Sequence, residues 1–115
     1  MNPFVFVGVG GVLGALSRYA VGEWLPGERR DVLVVNVLGS FALGALTVGF
    51  ADGATLLTTF GTGFCGAFTT FSSFAVETVQ LYERGEKRAA VGNAAVNLFG
   101  ALVGVVLGAS AVAQL

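Results

Sequence analysis

The run ATLLTTFGTGFCGAFTTFSSFAVETVQLY, from Ala54 to Tyr82, carries no charged residue before Glu77. It is longer than the ~20 residues that carry a helix across a bilayer. Its middle does not read as an ordinary span. Gly61, Gly63 and Gly66 are followed by the hydroxyl pairs Thr69-Thr70 and Ser72-Ser73, with Phe64, Phe68, Phe71 and Phe74 between them. Glycine loosens a helix, and clustered hydroxyls compete for its backbone groups. Non-helical backbone persists at bilayer depth only where it is buried in protein or lines a wet cavity. The run therefore reads as a transmembrane helix broken near residues 66–70, at a binding site.

Outward from this run, apolar stretches alternate with short polar joints. Phe4 to Leu25 is closed by Pro26-Gly27-Glu28-Arg29-Arg30-Asp31, and Val32 to Ala51 runs without a charge to the turn Asp52-Gly53. Beyond Tyr82 lies a second charged joint, Glu83 to Arg88, and then an apolar stretch from Ala89 onward. Only 11% of the chain is charged and 55% is hydrophobic, whereas a soluble domain carries roughly 25% charge. Six basic and seven acidic residues cannot clothe the outside of a soluble fold. The expected fold class is an all-α integral membrane protein with four transmembrane helices, the third broken mid-membrane. It is a single membrane domain over 1–115, with spans near 4–25, 32–51, 54–82 and 89–113. The Met-Asn-Pro-Phe start lacks the positive region of a secretory signal, so the first stretch reads as a retained span.

The same composition excludes several function classes. Histidine is absent and Cys65 stands alone, which sets aside imidazole chemistry, zinc sites and an internal disulfide. A net charge of −1 provides no basic footprint for nucleic acid. Cys65 reads as a small apolar filler in the break. No constellation of catalytic residues is present, and an enzyme is not expected.

Four spans put the first and third joints on one side. All six basic side chains, Arg18, Arg29, Arg30, Arg84, Lys87 and Arg88, fall on that side. The positive-inside rule then places both charged joints in the cytoplasm and both termini outside, in the plasma membrane. Tyr19, Trp24 and Tyr82 lie at the same face, as an interfacial aromatic belt would.

The polar groups within the spans are the candidates for chemistry. Asn36 reads either as an interhelical hydrogen bond, the favoured reading from spacing alone, or as an amide donor facing an anion. Phe71 and Phe74, three apart, share a helix face, and their ring edges carry partial positive charge. A broken helix frees carbonyls near Gly66 and Thr69, and converging carbonyls coordinate Na⁺ or K⁺. Arg18 either snorkels to the interface or lines a wet vestibule, and Glu77 has the same two readings. Asn93, Asn97, Gly100, Gly104 and Gly108 recur at a helical spacing that puts them along one side, expected to meet another helix.

Three segments carry a family likeness. They are GGVLGALSRY from Gly10 to Tyr19, NVLGSF from Asn36 to Phe41, and GFCGAFTTFSSF from Gly63 to Phe74. Over essentially its full length the chain resembles the small fluoride channels of the Fluc (CrcB) family. The third segment is the most specific. The resemblance implies an antiparallel dimer with two pores, passive export of fluoride, and a structural Na⁺ that is not transported. Gly66 and Thr69 match the positions whose backbone carbonyls, two from each subunit, hold that Na⁺. Phe71 and Phe74 match an aromatic box along the fluoride path, and Asn36 matches an asparagine that hydrogen-bonds in it. Thr70, Ser73, Asn93 and Asn97 are expected along the same path, and Arg18 and Glu77 in vestibules. Ala67 departs from a common glycine and Ser73 from a common threonine. Asn93 and Asn97 stand where relatives often show tyrosine and serine.

A small, tightly hydrated anion needs its water replaced by donors that still let it leave, and neutral amides, hydroxyls and ring edges meet that need. Composition does not separate fluoride from chloride; the resemblance does. One rival is a small four-helix multidrug or cation antiporter, which needs a carboxylate deep in a span; Glu23 lies near the end of its own. A second is a non-transporting assembly subunit that uses its glycine faces for contacts. The one-sided basic count predicts a single orientation, so the expected partner is a second homologous subunit of opposite bias. A homodimer remains the alternative.

Overall fold

The computed structural model describes residues 2–25, 30–50 and 53–115. Of the expected turn 26–31, residues 26–29 lie outside the described residues, as do the end of the second span at Ala51 and Asp52, while Arg30 and Asp31 belong to a helix and not to the turn. Helix α1 spans Pro3–Trp24 and α2 spans Arg30–Gly49. The third crossing is composite. A short α3 (Ala54–Leu56) widens into a π-helix (Leu57–Cys65), narrows again in α4 (Gly66–Phe68), and is interrupted before α5 (Phe71–Glu83). Helix α6 runs over Lys87–Ala113. Of these, α1, α2 and α6 are each long and apolar enough to cross a membrane unbroken. The longest extent of the fold is 49 Å, the scale of a bilayer with its headgroups, about 40–45 Å.

Local chemistry sets the helix ends. The Asn2 side chain accepts from the Phe4 amide at 2.9 Å, and Pro3 occupies the first helical position, where its missing N–H costs nothing. At the far end of α5, Gly85 takes φ +84°. Its amide reaches the Tyr82 carbonyl at 3.0 Å while Glu86 N–H reaches Leu81 at 2.9 Å. That paired closure is a Schellman motif, and its left-handed residue favours glycine.

Glycines let helix backbones meet without side chains between them, as packing within lipid favours. A Cβ on Gly10 would overlap the Thr59 carbonyl, and one on Gly14 would overlap that of Phe64, so α1 lies directly on the π-helix. Between α2 and α6, Gly44 abuts the Val105 carbonyl and Gly108 that of Phe41, while a Cβ on Gly104 would stand 2.9 Å from the Val37 oxygen. The glycine stripe on α6 thus meets a helix, as its spacing anticipates. Contacts advance in the same sense along both pairs. The fold is two parallel pairs, α1 with the third crossing and α2 with α6, set antiparallel to each other. That arrangement gathers Arg18, Arg30, Arg84, Lys87 and Arg88 at one end; Arg29 lies outside the described residues.

The glycine-rich run does not become irregular backbone. The helix widens over Leu57–Cys65 instead of breaking, and within it Thr59 Oγ1 donates to the Thr55 carbonyl at 2.8 Å. The interruption comes later, at Thr69 (φ −81°, ψ 161°) and Thr70 (φ −146°, ψ 118°). Gly66 itself is helical. Fully buried side chains are few, Val32 and Val35 among them, and Leu16, Leu98, Phe99 and Val106 face outward. An apolar exterior of this kind suits lipid rather than water.

Candidate functional site: a groove at the broken helix

At the interruption, Thr69 N–H still reaches back to the Cys65 carbonyl at 3.0 Å, and its hydroxyl donates to the same oxygen at 2.9 Å. The next amide departs. Thr70 N–H donates to Asn36 Oδ1 at 2.8 Å, and Asn36 Nδ2 donates to the Thr70 carbonyl at 3.1 Å. The asparagine side chain acts as a stand-in peptide, satisfying both backbone groups of the extended residue. Thr70 then starts the second half-helix, its Oγ1 accepting from Ser73 N–H at 3.2 Å. The helix that stops at Phe68 leaves its last carbonyls, that of Gly66 among them, without the amide four residues on. Gly39 makes room for this turn, since a Cβ there would overlap Thr69 Cγ2.

Asn36 also spends its remaining N–H, on Asn97 Oδ1 at 3.3 Å. Asn97 Nδ2 donates to the Asn93 carbonyl at 2.9 Å and to Asn93 Oδ1 at 3.2 Å. Asn93 Nδ2 donates to Thr78 Oγ1 at 3.0 Å, and that hydroxyl donates to the Phe74 carbonyl at 2.8 Å. Asn97 is 5% exposed. An unbroken chain of hydrogen bonds thus ties α2, α5 and α6 together beside the break.

An open groove of about 820 Å³ lies over this region, and Asn36, Gly66, Thr69, Thr70, Phe71, Phe74 and Asn97 all line it. The Phe71 and Phe74 rings sit 5.7 Å apart at 55°, with Phe71 78% exposed. A Cβ on Gly66 would meet nothing within 4 Å, so this face is bare in the single chain.

Other expected site residues lie elsewhere. Asn93 lines a separate cleft of about 310 Å³ with Arg30 and Gly92. Ser73 sits on the first turn of α5, its amide on Thr70, and lines neither cavity. Glu77 is half-buried on α5. Arg18 pairs with Asp31 at 3.2 Å, both side chains partly covered. This contact ties α1 to α2 at the basic end and adds a third reading to the two its sequence position offers. Cys65 is buried at the end of the π-helix, outside the interruption itself. Sequence reading overlooked Thr78, Gly39 and Asp31. Gly39 lies in the NVLGSF segment and Asp31 is the acid that follows Arg30 at a helix start, whereas Thr78 had no signal.

Fold and groove together define a small polytopic membrane protein organised around an interrupted helix, an arrangement that builds ion and solute sites at mid-membrane. The family described as CrcB-like protein, Camphor Resistance (CrcB), matches residues 5–109, and the chain belongs to it. It is 50% identical over 102 residues to Fluoride-specific ion channel FluC 2 of Natronomonas pharaonis, covering 89% of this chain and 87% of the relative. Similarity to Fluoride-specific ion channel FluC 1 of Halobacterium salinarum is also 50%, over 107 residues, covering 91% and 89%. Fluoride-specific ion channel FluC 2 of Listeria innocua is 41% identical over 111 residues, covering 91% of this chain and 86% of its own. These relatives are named as channels, not as enzymes.

Proposed function

We propose that this chain is a subunit of a fluoride-selective channel that lets fluoride leave the cytoplasm passively. The observation that carries the reading is 50% identity, over most of both chains, to relatives named as fluoride-specific channels. The groove supports it chemically. Phe71 and Phe74 offer ring edges, and the Thr70 hydroxyl, which accepts from Ser73, keeps its own hydrogen to donate. Among the described residues no cationic side chain lines the groove to trap an anion. An inside-negative potential drives an anion outward by about 2.3 kcal/mol per 100 mV, so a passive pore suffices to lower cytoplasmic fluoride. Arg18 and Glu77 belong to vestibules in this reading, and Ser73 to the margin of the path.

A structural Na⁺ held by the Gly66 and Thr69 carbonyls fits the chain's own geometry. Thr70 N–H is turned to Asn36, away from the Gly66 carbonyl, and the space beside Gly66 is open. One chain supplies only half of such a carbonyl site, so the reading includes an antiparallel dimer, its partner completing both the site and the bare face. The gathering of basic residues at one end supports a fixed orientation, with both termini outside the plasma membrane. The partner is then a homologous subunit of opposite bias.

Fluoride and chloride efflux from liposomes, alone and with such a partner, test the proposal. Fluoride-selective efflux in one of these preparations is the expected result, and tight vesicles in all of them refute the channel. Tags on the termini that report both orientations, when the chain is expressed alone, refute the obligate second subunit and favour a homodimer.

A further inference from the structure

The three amides of Asn36, Asn97 and Asn93 are not free to face either way. Thr70 N–H must meet an oxygen, which sets Asn36 Oδ1 toward it and Nδ2 toward the Thr70 carbonyl. The second N–H of that nitrogen then points at Asn97, whose facing atom must be oxygen. Asn97 Nδ2 is left to face the Asn93 carbonyl, which only accepts. At the far end, Thr78 Oγ1 has given its hydrogen to the Phe74 carbonyl and can only accept, which fixes Asn93 Nδ2 toward it. One backbone amide at the break and one backbone carbonyl on α5 thus dictate every flip between them.

We propose that Asn97, Asn93 and Thr78 are positioning residues: a one-way amide relay that holds α5, with Phe71 and Phe74, in fixed register to the break. Both N–H groups of Asn36 are spent inside the relay, on Thr70 and Asn97, and those of Asn97 on Asn93. Asn36 and Asn97 therefore have no N–H left for a passing ion, and Asn93, which gives one N–H to Thr78, completes the relay to the carbonyl of Phe74. This takes Asn36 and Asn97, both expected along the path, out of the set of donors to the ion, and adds Thr78, which lines neither cavity. Its functional half rests on the channel reading above; its structural half does not.

The chain contains four asparagines, Asn2, Asn36, Asn93 and Asn97, so ¹⁵N-asparagine labelling resolves the relay with Asn2 as an internal control. The labelled protein is reconstituted as its functional dimer, with an unlabelled partner where efflux requires one. Thr78→Val keeps shape and removes the acceptor. It is expected to move the side-chain amide signals of Asn93, Asn97 and Asn36 together, leave Asn2 in place, and lower fluoride efflux about fivefold, the order of one lost hydrogen bond. Thr78→Ser restores both signals and efflux. Asn93→Ala, a second break in the same chain, also moves Asn36. If Thr78→Val and Asn93→Ala both leave the Asn36 signals unmoved, the relay is not continuous and the proposal is wrong, whatever efflux does. If the signals move together but the wild-type protein passes no fluoride, the channel reading fails and the relay stands.

Discussion

Replacing Asn36 by alanine removes the side chain that satisfies both backbone groups of Thr70 at the interruption. Three hydrogen bonds end on it, two to the Thr70 backbone and one to Asn97. Polar contacts between membrane helices average about 0.6 kcal/mol and reach about 1.7, which places the loss at about 2–5 kcal/mol. The lower end applies where groove water takes over the Thr70 carbonyl; the upper end applies where the Thr70 amide is left dry. Asn36→Leu restores volume without polarity and separates a lost hydrogen bond from a cavity. Both variants should lower the unfolding midpoint in a mixed-micelle titration followed by far-ultraviolet circular dichroism. Protein and detergent are held constant, because assembly couples to stability. Hydrogen exchange at the Thr70 amide should accelerate in parallel, while that of Thr69, bonded to Cys65, should change less. Midpoints within about 0.5 kcal/mol of wild type, with Thr70 exchange unaltered, would refute the surrogate-peptide role of Asn36.

Phe71→Ile and Phe74→Ile keep volume but lose the ring edge, so fluoride efflux should fall while the assembled species stays unchanged on size exclusion; unchanged efflux in both makes them packing residues. Gly108→Leu forces a side chain against the Phe41 carbonyl and should cost about 1–3 kcal/mol by parting α2 from α6. Gly92→Ala, which meets open space, should leave the same titration unmoved or slightly more stable. Gly85→Ala places a Cβ at φ +84° and should cost about 1–2 kcal/mol, with Gly85→Asn costing less; equal stability of all three would discount the Schellman closure.

Hydropathy and charge placement are local, additive properties, and lipid leaves helices as the economical way to satisfy a spanning backbone. For that reason four crossings, the composite third and the basic end were legible from Phe4 to Ala113 without coordinates. The glycine stripe on α6 was legible as an interface because helical spacing assigns a face. Its partner was not, since nothing in Gly104 or Gly108 names α2 over α1. The run from Gly61 to Thr70 announced a departure from α-helix through composition. The run widens first, over Leu57–Cys65, and breaks only where Asn36 captures the Thr70 amide and the chain turns extended. The break involves residues thirty-four apart in sequence, so no local window contains it. The sequence alone therefore determines a membrane-embedded bundle with an irregular third span. Only the tertiary structure decides that asparagines from two other helices hold the irregularity in place, because hydrogen-bond direction is set by donors and acceptors meeting in space.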